Sequence, residues 1–73
     1  NSQTLKDVRR LLDMLPMIQR EVVYMRFYQQ LSFKEIAETT NCSINTALGR
    51  MRYAVLNMRR MAKTYGMTLQ LSI

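Results

Sequence analysis

Residues 31–53, LSFKEIAETTNCSINTALGRMRY, decide the fold that this sequence predicts. They have the pattern of two helices joined by a very short turn, and the second helix carries arginines and small polar residues on its open face. In a helix-turn-helix of this layout, the second helix lies in the major groove of DNA. The stretch therefore predicts a DNA-reading motif, and it is the most specific signal in the chain.

The first helix of this motif has a clear start signal. Ser32 and Glu35 have the spacing of a capping box, in which the serine hydroxyl accepts from the glutamate amide while the glutamate side chain reaches back. The predicted helix covers residues 33–39, and its core-facing candidates are Phe33, Ile36 and Ala37.

The turn and the second helix follow at once. Asn41 tolerates the left-handed backbone that a sharp reversal needs, and Ser43 can cap the next helix. That helix is predicted to reach Lys63 or Tyr65, with Gly66 as its stop signal. Its apolar residues recur at helical spacing on one face: Ile44, Ala47, Met51, Ala54, Val55, Met58 and Ala62.

Upstream of the motif, the periodicity predicts two more helices. The first covers about residues 4–14 and is capped by Thr4, and the second begins with Pro16 at its first position and ends near Gln29. The fold class is therefore all-α: a small four-helix bundle with a C-terminal helix-turn-helix and a long recognition helix. We expect residues 67–73 to fold back on the bundle or to extend from it. The inward candidates of the second helix are Ile18, Val22, Met25, Tyr24 and Tyr28.

Charge is distributed unevenly along the 73 residues, whose formal net charge is +6. Up to residue 40, six basic residues nearly balance five acidic ones, whereas no acidic residue follows Glu38. A basic half on a small domain favours a polyanionic partner, although a solvated helix face has a similar composition. The unopposed cations are Arg50, Arg52, Arg59, Arg60 and Lys63.

Length and composition bound the class of protein. The chain is long enough for one small domain, and because it begins at Asn1 without an initiator Met we expect it to be part of a longer protein. No apolar run is long enough to span a bilayer, and no segment resembles a signal peptide. We therefore expect a cytoplasmic location and no membrane partner.

The sequence offers little for catalysis or metal binding. Cys42 is the only cysteine and there is no histidine, so neither a zinc site nor a Cys–His pair can be built. Glu35 and Glu38 lie on one short helix, and capping already accounts for Glu35. We expect no enzyme activity, no catalytic residue, no metal and no cofactor.

A helical wheel assigns a reading face to the last helix. Arginine can grip guanine or a phosphate, and asparagine can pair with adenine. A glycine inside a helix costs ~1 kcal/mol relative to alanine, which is tolerable where the backbone must approach another surface. Leu56 also lies on this open side of the helix, and the exposure of such an apolar residue is unexplained. With Ala47 and Met51 inward, the residues that point away from the core are Asn45, Gly49, Arg52 and Tyr53, flanked by Thr46 and Arg50.

Short pieces of sequence over residues 15–54, more than half of the chain, carry a family resemblance. They are Leu15-Pro16, Gln19-Arg20-Glu21-Val22, Arg26, residues 31–38, Cys42-Ser43, Thr46 and residues 50–54. In this order and spacing they resemble region 4 of bacterial sigma factors, in particular the extracytoplasmic-function (ECF) group. The resemblance implies a domain that docks on the β-flap of the RNA polymerase core and inserts its recognition helix into the minus-35 element of double-stranded promoter DNA. It also implies that the first two helices face the polymerase. An anti-sigma factor is a further implied partner, which would cover similar surfaces of the domain.

The resemblance also bears on individual residues. By position match, Leu48, Gly49, Arg52 and Tyr53 fall where ECF members contact DNA, with Arg50 beside them. Leu48 stands where a basic residue is usual and Gly49 where serine is common, which affects the base preference, and Gln30 replaces a loop glycine. The candidate DNA-binding residues are Ser43, Asn45, Thr46, Leu48, Gly49, Arg50, Arg52, Tyr53 and Lys34.

On this interpretation, residues 1–73 form one region 4-like domain with its helix-turn-helix at about residues 32–55, and region 2 is absent from the sequence. Two alternatives stay open. One is the helix-turn-helix output domain of a response regulator, which reads DNA as a dimer. The other is a helical module that binds only protein and therefore shows no salt-dependent DNA binding.

Overall fold

Four α-helices make up most of residues 2–66, the part of the chain that the computed structural model describes, with side chains from Lys6 onward. They are α1 (Ser2–Asp13), α2 (Met17–Val23), α3 (Phe33–Thr39) and α4 (Ile44–Thr64), and a π-helical segment (Tyr24–Tyr28) directly continues α2. The described residues contain no strand, so the all-α expectation is confirmed. The expectation for residues 67–73 lies outside the described residues.

The hydrophobic core forms around the inner face of α4, which packs against α1, α2 and α3. Met51 and Met58 are fully buried there, together with Leu11 of α1, Val22 of α2 and Ile36 of α3. Burying a side chain of this size stabilises the fold by about 1.5–3 kcal/mol. The buried face of α4 consists of Ala47, Met51, Ala54, Val55, Met58 and Ala62, as the helical spacing predicts.

Two predicted helix starts are wrong. Thr4 lies inside α1, which already includes Ser2, so Thr4 does not cap it. Pro16 is the N-cap of α2 and not its first helical residue, because its ψ of 147° is extended. Its carbonyl nevertheless accepts the first helical bond, from the Arg20 amide at 3.0 Å.

The π-helical segment is a feature that the sequence pattern did not predict. The Gln29 amide donates to the Tyr24 carbonyl five residues back, at 3.2 Å. Such a wider turn changes which side chains face inward, and Tyr24 and Tyr28 lie exposed with their rings stacked at 5.3 Å. The assignment of these two tyrosines to the core is therefore wrong, whereas Met25 packs against the core as predicted.

Ile18 and Ile44 are also more exposed than predicted. Ile18 is 51% exposed and lines an open groove formed by α2, the π-helical segment, the end of α3 and Arg50 of α4. Ile44 is 46% exposed because it lies in the first turn of α4, before that helix reaches the core. Val23, which was not assigned inward, is buried beside Val22.

The connection from the π-helical segment to α3 is held by polar contacts. The Arg26 guanidinium donates to the Leu31 carbonyl at 3.0 Å and lies over the Phe33 ring, 4.8 Å from its centroid. Gln30 reverses the chain between them with a φ of +56°. A non-glycine residue in the left-handed region costs roughly 1–2 kcal/mol, so this loop carries strain.

No helix within residues 2–66 combines the length and the apolar character that crossing a bilayer requires.

We predict that Gln30→Gly stabilises the protein by about 0.5–1 kcal/mol, because glycine adopts a positive φ without the clash of a Cβ atom. Gln29→Gly is the matched control: Gln29 has a φ of −94°, so glycine there should lower stability by about 0.5–1 kcal/mol. Urea denaturation followed by circular dichroism measures both. Equal destabilisation by the two variants would show that the Gln30 backbone is not strained.

Candidate nucleic-acid interface

The turn between α3 and α4 has the geometry of a helix-turn-helix. The Cys42 amide donates to the Ala37 carbonyl at 2.9 Å and the Asn41 amide to the Glu38 carbonyl at 3.3 Å, which ends α3. Asn41 has a φ of +56°, so the left-handed turn residue expected from the sequence is confirmed. These bonds fix the direction in which α4 leaves α3.

Both helices of the motif begin with a side-chain cap. The Glu35 amide donates to the Ser32 hydroxyl at 3.0 Å, and the Ser32 amide donates to the Glu35 carboxylate at 2.9 Å. This confirms the capping box. The Ser32 amide, and then its side chain, hold the pKa of Glu35 below its ordinary value, so the carboxylate is charged at neutral pH and the cap is intact.

At the start of α4, the Thr46 amide donates to the Ser43 hydroxyl at 3.0 Å, which confirms the predicted cap. The Ser43 hydroxyl in turn donates to the Thr46 hydroxyl oxygen at 2.9 Å. Since a hydroxyl has one hydrogen and two lone pairs, Thr46 can still donate its own hydrogen to a phosphate oxygen. Ser43 therefore positions Thr46 as well as capping the helix.

The outer face of α4 is open where the wheel placed the reading residues. Asn45, Arg52 and Tyr53 are exposed, and Tyr53 is exposed to 64%. Apart from its two chain neighbours and the adjacent backbone of α4, no atom lies within 4 Å of the position that a Cβ atom at residue 49 would take. Close packing inside the described fold therefore does not explain this glycine, and its backbone is accessible to another molecule.

Arg50 points in a different direction from Arg52. It is partly buried, and its guanidinium donates to the Cys42 thiol sulfur at 3.6 Å. The same sulfur lies 3.2 Å from the Thr40 hydroxyl, which donates to the Ile36 carbonyl at 2.7 Å. Arg50 thus braces the turn, a role that sequence reasoning missed because Cys42 was considered only as a metal ligand or a nucleophile.

The remaining candidates lie at the margins of this face. Leu48 is partly buried on the flank of α4, and Lys34 is exposed in the first turn of α3.

A contact that the sequence did not reveal helps to orient α4. The side-chain amide of Asn57 donates to the Gln19 amide oxygen of α2 at 2.7 Å. This polar bond ties α4 to α2 and adds to the hydrophobic contacts that orient the outer face of α4.

The electrostatics of the site follow from α4, which contains five basic residues and no acidic one. Arg52, Arg60 and Lys63 are exposed on it. Within the described residues, no group of three or more His, Cys, Asp or Glu side chains is placed to hold a metal ion. The arrangement is suited to non-covalent binding of a polyanion.

Comparison with known proteins identifies one family. Residues 5–52, which are 48 of the 73 residues, match the family model for sigma-70, region 4. That family consists of DNA-binding domains and is not a family of enzymes, in agreement with the sequence-based expectation. No curated protein and no solved structure gives a significant match to the chain.

We predict that Ser32→Ala lowers stability at neutral pH by about 1 kcal/mol, the usual cost of losing an N-cap. The pKa of Glu35 should rise part of the way to its ordinary value, since the backbone amide of residue 32 still donates to the carboxylate. NMR titration of the side-chain carboxyl measures this shift, and urea denaturation measures stability.

Ser43→Ala is the matched control, because it removes the cap of α4 while leaving the pKa of Glu35 unchanged. Because the pKa of Glu35 is lower in the folded state, the charged Glu35 carboxylate stabilises the fold above the ordinary carboxyl pKa. This stabilisation is lost as the pH falls through the lowered pKa. An identical Glu35 titration in wild type and Ser32→Ala would contradict the assigned capping box.

Proposed function

The chain belongs to the sigma-70 region 4 family, and on that premise we propose that it is the minus-35-reading domain of an ECF-type sigma factor. Its family gives it a role in DNA binding and transcription initiation. The proposed function adds the ECF assignment, the minus-35 element as the target and the β-flap of RNA polymerase as the docking site. It would act in the cytoplasm, where the polymerase transcribes.

The observation that carries this proposal is the open, acid-free outer face of α4. Asn45, Arg52 and Tyr53 are exposed around the accessible backbone of Gly49. Arginine can form a bidentate pair with guanine, and asparagine can form one with adenine. The chemistry needed to read base edges is therefore present on one side of a helix whose other side is buried.

The cap of α4 supplies a second element of DNA binding. Phosphate oxygens are favoured at a helix N-terminus, where backbone amides and the helix dipole both present positive charge. Ser43 and Thr46 place their hydroxyls at this end. We assign them phosphate contacts that set the register, leaving base reading to residues further along the helix.

The other candidates take supporting roles in this proposal. Lys34 would neutralise a phosphate from the first turn of α3. Leu48 would pack at the edge of the groove, in place of a charged contact. Arg50 would act through the turn that it braces, since its guanidinium is directed to Cys42.

Docking on the polymerase is assigned to a separate, apolar surface of the domain. Six large apolar side chains of α2, the π-helical segment and the preceding turn are between 40% and 64% exposed. A contiguous apolar patch on a small domain marks an interaction surface, and the stacked rings of Tyr24 and Tyr28 lie within this group. We name this the apolar docking face, and it comprises Met14, Met17, Ile18, Tyr24, Phe27 and Tyr28. An anti-sigma factor would compete for the same side chains.

We predict that Arg52→Ala weakens binding to the preferred duplex by about 1–3 kcal/mol, the range for one good bidentate base contact. The duplex is first selected from a random pool, and binding is followed by fluorescence anisotropy. Arg10→Ala, which removes the same charge from an exposed position on α1, should leave affinity unchanged. Unaltered affinity and selectivity in Arg52→Ala would show that the assigned reading face is wrong.

The selected sequence itself separates the alternatives. A single non-palindromic element bound by a monomer supports the sigma assignment. An inverted repeat bound by two copies would instead identify the response-regulator mode. No binding at any salt concentration would leave only a protein-binding role.

We predict that the double variant Met17→Ser/Tyr24→Ser loses affinity for the RNA polymerase β-flap at least tenfold while its DNA binding is unchanged. Both side chains are more than half exposed, at 64% and 51%, so the fold should tolerate their loss. Tyr65→Ser, which removes a 57% exposed aromatic ring outside the apolar docking face, is the control. Equal polymerase affinity in all three proteins, measured by biolayer interferometry, would refute this docking face.

A further inference from the structure

The last helix is longer than base reading requires. α4 spans 21 residues, which at ~1.5 Å per residue gives about 31 Å, whereas the major groove of B-DNA is about 12 Å wide. The residues assigned to base reading end at Tyr53, and the family match ends at residue 52. The exposed residues in the second half of α4 therefore have no role in base reading.

This second half keeps the same outward direction as the first. At ~100° per residue, Arg60 and Lys63 fall within about 80° of Arg52 around the helix axis. Both side chains are exposed, while Met58 and Ala62 between them and the core are buried. A single open face thus runs along the helix from Asn45 to Lys63.

The distances along α4 match the geometry of the groove. Arg60 and Lys63 lie eight and eleven residues beyond Arg52, or about 12–16 Å along the axis. When Arg52 is at the base edges, these two cations are at or just past the groove wall, where the phosphates lie. The C-terminal end of a long recognition helix reaches the backbone in the same manner in homeodomains.

We propose that Arg60 and Lys63 bind the phosphate backbone flanking the element that the first half of α4 reads. The partner follows from charge complementarity, since α4 has no acidic residue that would repel a phosphate. The inference rests on the proposed function, because it requires α4 to occupy the groove. It lengthens the DNA footprint without adding any base contact.

The test is the salt dependence of binding, measured by fluorescence anisotropy on the selected duplex with generous flanks. Each phosphate contact contributes about 0.9 to the slope of log affinity against log salt. Arg60→Gln/Lys63→Gln should therefore reduce the slope by about 1.8, while the affinity ratio between selected and scrambled duplexes stays constant. Trimming the flank from one end of the duplex should produce the same loss of slope in wild type.

The control is Lys6→Gln/Arg10→Gln, which removes two exposed charges from α1 and should leave the slope unchanged. Circular dichroism verifies that both double variants fold. An unchanged salt slope in Arg60→Gln/Lys63→Gln, or an equal reduction of the slope in the control, overturns the inference. The proposed function still holds in that case if the wild-type protein binds the selected duplex selectively. If Arg60→Gln/Lys63→Gln instead keeps the wild-type salt slope and loses affinity for RNA polymerase, the two cations belong to a protein-binding surface. Absence of salt-dependent binding in wild type would instead remove the proposed function itself.

Discussion

Burial of one face of α4 is the constraint on which the rest of the structure depends. Met51 and Met58 are fully enclosed by the other three helices, and their removal from water fixes the rotation of α4 about its own axis. Once this face is buried, helical geometry determines which residues of α4 face the solvent. The same hydrophobic contacts that stabilise the small domain therefore leave Asn45 and Arg52 exposed on the side of α4 that is proposed to read DNA.

Polar contacts then set the angle at which that face is presented. The turn is held by Asn41 in the left-handed conformation and by the contact between Arg50 and the Cys42 thiol. Asn57 and Gln19 add a hydrogen bond that ties α4 to α2. Because α2 also carries Met17 and Ile18 of the apolar docking face, this bond links the surface proposed to dock on the polymerase with the helix proposed to read DNA.

Local chemistry explains why some of this was predictable from the sequence. The capping box at Ser32, the cap at Ser43 and the turn at Asn41 each depend on residues within a few positions of one another, and all three are confirmed. The buried stripe of α4 was predictable because it repeats over the whole helix. The DNA contacts stay a prediction, since they depend on a partner.

The errors arise where the outcome depends on distant neighbours. Ile18 has the spacing of a core residue, yet it lines a groove that no other described part of the chain fills. Tyr24 and Tyr28 were assigned inward on ordinary α-helical spacing, which the π-helical segment alters. The Arg50–Cys42 contact joins residues eight positions apart across the turn, and no periodic pattern reports it. Ile18, Tyr24 and Tyr28, which are exposed against prediction, are also the side chains that suit a protein partner.

The assignment of α4 as the DNA-reading helix can be tested by NMR, by titrating isotopically labelled protein with the selected duplex at low salt and mapping the backbone amide shifts. We expect the largest shifts at residues 43–53 along one side of α4, with smaller ones at residues 60–63. The amides of residues 17–28 should barely move. Shifts concentrated in residues 17–28, with α4 unaffected, would contradict the assignment of α4 as the DNA-reading helix.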